Sequence, residues 1–429
     1  MKKNLSKIGL MAIVSLGLLT ACGSNDPVTS ESTGSSEPEK STSETITVGF
    51  WKGDSTAEDN ARKTMFEDFT NETGIKVQEK VYNDYATQLM TDLIGGTAPD
   101  VFYVDVSDIP TLASLSVLEP LDSYIETSEI KTEDYYEPLL EAFRFTDDKM
   151  YGLPKDYSTL GFYYNETLLE EAGLTPEDIP TKYEDLEGFL TEIKTALPDK
   201  TPMVFSPLMA RQLYIMQSQD GMPVTEEGMA NLADPKVLAA LEILVDLYDK
   251  ELIATAADLG DGWSGDTFGR GQAVITDEGA WMVSHLDTNF PDLAYGVKEI
   301  PTLNGENRNM VFTVSYSMNS ASSKKDEAWK FIEFTTRDEV MQTYAETASV
   351  LPTKISVAEA MKIDEDPIMG AFSKAANYAT PWQDGVNLPL IASNYENMII
   401  PALTGEMTLE EAMENATEAA NKDIEQQLN

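Results

Sequence analysis

The chain has 429 residues, with 74 acidic against 30 basic side chains and a formal net charge of −44. That balance excludes nucleic acid, which requires basic patches, and docking on anionic lipid by charge. One cysteine and one histidine exclude a disulfide framework, a thiol metal site and a metal centre built on a histidine cluster, while the length suffices for two or three domains.

Lys2, Lys3 and Lys7 precede an uncharged, mostly apolar run from Ile8 to Thr20, which leads into Leu19-Thr20-Ala21-Cys22. A positive start, a short apolar stretch and a small residue before the cut describe a secretory signal peptide over residues 1–21. At about 13 residues the run is shorter than the roughly 20 that span a bilayer. A cysteine directly after the cut is the bacterial lipobox, so Cys22 is expected to be acylated and to anchor the mature chain at the extracytoplasmic face of the cell membrane. Residues 22–44 are Ser, Thr, Glu, Gly and Pro in the main and have no aromatic; they cannot bury enough apolar surface to fold and read as a flexible tether.

Order is expected from Thr45. Ile46–Trp51 reads as a strand, and Ser55 with Glu58 has capping-box spacing ahead of Ala61, Met65, Phe66 and Phe69 at helical spacing. Gly74 suits the helix stop, and Ile75, Val77, Glu79 and Val81 sit on alternate positions of a second strand. Asn83 caps a helix carrying Tyr85, Leu89 and Leu93, which Gly95-Gly96 ends, and Asp100–Asp105 reads as a buried strand. This β-α-β-α-β order signals an open, mainly parallel α/β sheet, in which ligands sit beyond the carboxyl ends of the strands. The polar and aromatic residues at those ends are Trp51, Lys52, Asp54, Tyr103 and Asp105.

Further along, Tyr157–Tyr164 reads as a strand, and Thr181 with Glu184 forms a second capping box ahead of Leu186, Leu190 and Ile193. Pro235 opens a helix, Ala273–Thr276 is a short strand before Gly279-Ala280-Trp281, and 295–297 and 311–316 are strands. Lys324–Phe334 is a helix, and Thr408 with Glu411 opens a last one running to about Leu428. No G-x-S-x-G elbow or phosphate loop occurs, and the acids from Asp258 to Asp266 lack calcium-loop spacing.

Taken in order, Gly95-Gly-Thr-Ala-Pro-Asp-Val101, Tyr151-Gly-Leu-Pro154, Gly161-Phe-Tyr-Tyr-Asn165, Gly279-Ala-Trp281, Tyr316-Ser-Met-Asn-Ser320, Lys325–Ile332 and Leu351-Pro-Thr353 resemble the extracellular solute-binding proteins of family 1, the carbohydrate receptors of bacterial ABC importers, similar to maltodextrin-binding protein. No one of these motifs is specific by itself; the ordered set is, and it covers residues 45–429. The resemblance implies a type II periplasmic-binding-protein-like fold: two α/β lobes, each a mixed, mostly parallel sheet flanked by helices, joined by hinge crossovers. Carried over, the first lobe comprises residues 45–156 plus 310–354 and the second 157–309 plus 355–429, with crossings near Lys155-Asp156, Met310 and Pro352-Thr353.

The resemblance also implies a monomeric receptor without cofactor, delivering a carbohydrate to ABC permease subunits. Sugars present hydroxyls at the ring edge and C–H patches on the ring faces, so carboxylates and amides meet the first and aromatic rings the second. The family places such groups at Trp51, Tyr103, Tyr157, Trp281 and Trp382, with Asp54, Asp105 and Asp156 beside them and Lys52 as a donor or a partner of one of these acids. Plain packing competes at several positions. Tyr103 lies on a buried strand, Trp329 sits among Phe331 and Phe334, Trp263 suits either a lid or a loop anchor, and His285 reads as structural rather than catalytic. Two other functions fit the composition: a receptor for a polyamine, peptide or other small solute, and a secreted glycoside hydrolase working through two carboxylates.

Overall fold

The computed structural model describes residues 44–52 and 56–427. The expected signal peptide, Cys22, nearly all of the tether, and Gly53, Asp54 and Ser55 lie outside the described residues.

Among the described residues, ten strands form one continuous sheet: β1 (Thr45–Trp51), β2 (Lys76–Tyr82), β3 (Val101–Asp105), β4 (Leu153–Asn165), β5 (Thr201–Phe205), β6 (Ile253–Thr255), β7 (Ala273–Gly279), β8 (Tyr295–Glu299), β9 (Met310–Met318) and β10 (Thr380–Pro381). Their order is β2-β1-β3-β9-β4-β7-β5-β6, with β10 beside β9 and β8 beside β4. At one end β1 is parallel to β2 and β3; at the other β5 is parallel to β6 and β7. The helices Thr56–Thr73 and Tyr85–Gly95 link the first three strands, and Gly74 and Gly96 beyond them take the left-handed backbone that stops a helix. The β-α-β-α-β start expected from the sequence is therefore present.

β4 joins the two ends. Its first half, through Thr159, pairs antiparallel with β9, and from Leu160 onward it pairs with β7 and β8. The change of partner thus falls between Thr159 and Leu160. Asn309 is fully buried there, and its side chain accepts from the Leu160 and Met310 amides at 2.9 and 2.8 Å and donates to the Leu160 carbonyl at 2.8 Å. One side-chain amide stands in for a rung of the ladder at the point where the ladder changes hands.

Each end has its own core. Phe50, Phe66, Phe69, Phe102 and Phe331 belong to the first, and Phe162, Leu190, Leu213, Leu241 and Tyr395 to the second. Phe69 meets Phe331 and Phe334 edge-on at centroid distances of 5.3 and 5.5 Å, and truncating it would cost about 3–5 kcal/mol. A third cluster, with Tyr157, Tyr163, Phe268 and Phe372, also contains Leu139 and Leu351, so it ties segments from both ends together.

Local punctuation departs from expectation at Thr181. A 3-10 turn over Tyr183–Asp185 precedes the helix Leu186–Ala196, and the Glu184 carboxylate accepts from the Asn304 amide at 2.7 Å rather than closing a capping box. The cause is tertiary: Tyr183 is buried and its amide donates to the Thr302 carbonyl at 2.7 Å. At the last helix, Leu409–Gln427, Thr408 does cap, accepting from the Glu411 amide at 3.2 Å.

Candidate functional site

β1 ends at Trp51, and β7 ends at Gly279, just before the helix Trp281–Asn289. These two carboxyl ends approach one another across a cavity of about 330 Å³. Trp51, Lys52 and Glu58 line one side; Trp281, Ser284 and His285 line the other. Both cavity-lining tryptophans were expected at a ligand site, as was Lys52.

Trp281 is a large apolar side chain left 38% exposed in a chain that buries most others. Glycine at 279 permits its pose, since a Cβ there would lie 2.2 Å from the far edge of the indole. Phe312 of β9 stands edge-on to the ring at 5.3 Å, and the Arg211 guanidinium lies over both rings, 4.7 Å from the Trp281 centroid and 5.0 Å from that of Phe312. Arg211 comes from the helix Met209–Ser218 and its Nε donates to Glu278 Oε2 at 3.2 Å. Glu278, fully buried, also accepts from Trp263 Nε1 at 2.9 Å and the Gly279 amide at 2.8 Å. Three donors satisfy a carboxylate that burial alone would penalise heavily.

Trp263 and His285 belong to the same assembly. Their rings meet edge-on at 4.7 Å, and His285 Nε2 lies 3.1 Å from Asp266 Oδ1. Trp263 thus stands between Glu278 and His285.

On the opposite side, Trp51 packs edge-on against Tyr85 at 5.2 Å and Tyr103 at 5.0 Å. Tyr103 is fully buried, between Phe50, Trp51 and Tyr316, so in this conformation it supports the cavity wall instead of lining it. The reason is the pleat: its side chain points to the core face of a strand buried on both sides. Asp105 caps the turn that follows β3, its Oδ1 accepting from the Ser107 amide at 2.9 Å and hydroxyl at 2.6 Å; burial pushes its pKa up against these bonds. Burial, reinforced by the Asp105 charge, lifts Asp108 to about 6.

Lys155, buried, and Asp156, partly buried, form an ion pair. Lys155 Nζ is also 3.6 Å from Glu58 and 4.6 Å over the Tyr103 ring, and the Tyr344 hydroxyl donates to Glu58 at 3.2 Å. Burial would lower the Lys155 pKa, but Asp156, Tyr103 and Glu58 outweigh it and hold it well above its ordinary value. Burial raises Asp156, against the pull of Lys155. Tyr157, on the other side of β4, is buried in the third core against Tyr136. Trp382 is half-buried and touches both main cores, and its neighbour Gln383 donates to the Val106 and Ala142 carbonyls at 3.0 Å each. Trp329 packs in the first core against Tyr124 at 5.3 Å.

The cavity thus unites Trp51, Lys52 and Trp281; Tyr103 packs behind Trp51, Asp105 and Asp156 are engaged with Ser107 and Lys155, Tyr157 lies in the third core, Trp382 touches both main cores, and Asp54 falls outside the described residues. Sequence reasoning missed Arg211, Glu278 and Phe312 as site residues, and saw Glu58 only as a cap. Glu278 alone carried a signal, as one of the two acids, Asp277 and Glu278, inside the otherwise strand-like Ala273–Gly279. Among the described residues, no group of three or more His, Cys, Asp or Glu side chains suits a metal ion.

The sequence profile of the bacterial extracellular solute-binding proteins matches residues 64–371. A galactooligosaccharide-binding protein of Bacillus subtilis is 24% identical, across 99% of this chain and 98% of its own. A maltooligosaccharide ABC transporter solute-binding lipoprotein of Streptococcus pneumoniae is 23% identical, across 99% and 98%. A Brucella abortus relative is 24% identical over 279 residues, and that match spans only 65% of the relative's length. Among solved structures, an ABC transporter solute-binding protein of Thermotoga lettingae bound with α-D-tagatose superposes with a TM-score of 0.77 at 23% identity, covering 89% of this chain and 99% of that one.

Proposed function

Because this chain belongs to the bacterial extracellular solute-binding proteins, we propose that it is the capture component of an ABC importer, closing two lobes on a carbohydrate, an oligosaccharide by preference, and handing it to permease subunits. The observation that carries this reading is the pair of tryptophans, Trp51 and Trp281, lining one cavity with Lys52 and Glu58 beside them. Indole faces suit the C–H patches of a sugar ring and the charged groups suit its hydroxyls. The lobes divide near residues 156, 309 and 354, Cys22 carries the lipid, and the mature chain works as a monomer at the extracytoplasmic membrane face. Among the described residues, no helix is long and apolar enough to cross a membrane. The protein binds its solute and does not hydrolyse it.

A polyamine is disfavoured because the carboxylates it would need are engaged: Asp105 with Ser107 and Asp156 with Lys155. The test is a thermal-shift screen of the mature protein carrying Cys22→Ser. Ligand that binds only the folded state raises the midpoint. Maltotriose or a galactooligosaccharide is expected to do so. A rise with spermidine and none with any sugar rejects the carbohydrate; release of reducing sugar from an oligosaccharide would make it a glycoside hydrolase. In cells, the same Cys22→Ser change should free a protein that still binds.

A further inference from the structure

Acids outnumber bases more than two to one in this chain, yet the group laid over Trp281 is an arginine. Glu278, fully buried, takes Arg211 Nε at 3.2 Å and is held in turn by Trp263 Nε1 and the Gly279 amide, while Arg211 itself is only partly exposed. The guanidinium covers one face of the Trp281 ring, so a solute stacking on the indole has to take the other face.

An indole face attracts a cation through its quadrupole. Here that attraction is already satisfied on one face, and a second cation on the other face would meet the arginine's field across the thickness of the ring, in surroundings of low dielectric. A neutral C–H surface meets no such repulsion. Lys52 adds a second positive side chain to the cavity wall, while the acid among the lining residues, Glu58, is drawn to Lys155 and Tyr344. We propose that Arg211 is a specificity-determining residue: held against Trp281 by Glu278, it closes that ring to cationic solutes and reserves it for uncharged ones. The proposal rests on the reading of this cavity as the solute site.

Tryptophan-fluorescence titration of the mature chain with choline, and in parallel with maltotriose, tests it. Wild type should give no saturable response to choline. The double variant Arg211→Gln/Glu278→Gln, which removes both charges and keeps an amide pair of similar shape, should bind choline at least about tenfold more tightly than wild type. Adding Trp281→Ala should abolish the gain. Arg211→Lys keeps the charge without the planar fork and should exclude choline as wild type does; a purely structural role would make it behave like the double variant. Saturable choline binding by wild type, no gain in the double variant, or choline binding by Arg211→Lys overturns the proposal. If the double variant does not fold, Arg211→Met/Glu278→Leu, which also removes both charges, gives the same comparison. Failure of maltotriose and the other sugars on wild type would sink the carbohydrate reading, while the choline series still decides the role of Arg211.

Discussion

Trp51 at the end of β1 and Trp281 at the start of the helix after β7 line one cavity of about 330 Å³ from opposite ends of the sheet. Their supports differ. Trp51 leans on Tyr85 and Tyr103, whereas Trp281 is held by Arg211 and Phe312.

Trp281→Ala removes an exposed ring that no core depends on. Sugar affinity should fall by about 2–3 kcal/mol, or roughly 30- to 150-fold, with the melting midpoint nearly unchanged. Calorimetric titration alongside a thermal melt checks both; undiminished affinity would remove Trp281 from the site.

Gly279→Ala asks a finer question. The added methyl would sit 2.2 Å from the indole edge, so the ring must turn away while the β7 backbone stays put. Affinity should drop nearly as far as in Trp281→Ala, and near-ultraviolet circular dichroism should report the altered tryptophan environment. Wild-type affinity in this variant would mean that the pose of Trp281 is irrelevant.

Lys155→Met leaves Asp156, partly buried, without its cation. The expected loss is about 3–5 kcal/mol of stability, read from the urea midpoint, and Lys155→Met/Asp156→Asn should recover a large part of it. Additive losses in the double variant would contradict the pairing.

Asp277 sets a pH dependence. Burial, reinforced by the Glu278 charge, lifts its pKa to about 7, and its Oδ1 has no hydrogen-bond partner. The folded chain therefore holds a proton that the unfolded chain releases near pH ~4. The stability this provides is complete below about pH 4 and is lost as the pH rises to about 7. Asp277→Asn should escape that loss, exceeding wild type by up to about 4 kcal/mol at alkaline pH and converging with it in acid. Urea unfolding across that range decides the matter; an Asn variant weaker than wild type at alkaline pH would refute it.

The strands and helices of the first 60 ordered residues were legible because hydrophobic period and glycine stops are local signals. The site was legible at Trp51, Lys52 and Trp281, which follow strand ends directly. Tyr103 shows where this reading gives out. Its position at a strand end suggested the cavity, but the pleat turned it inward. Arg211 and Phe312 were invisible for a different reason: one sits on a helix and the other on a crossing strand, and only tertiary packing brings them to Trp281. Likewise, no local rule gives Glu184 to Asn304 in place of its own helix.

Asn309 has a mechanical meaning as well. β4 runs unbroken through the junction of the two halves of the sheet, and the Asn309 amide grips both the N–H and the C=O of Leu160 at the residue where β4 changes neighbours. Sliding of one half past the other would break all of these bonds together, whereas a twist about the strand axis need break none. In the proposed closure of the lobes, torsion about β4 would keep the aromatic groups at the cavity in the same register, whereas a slide would not.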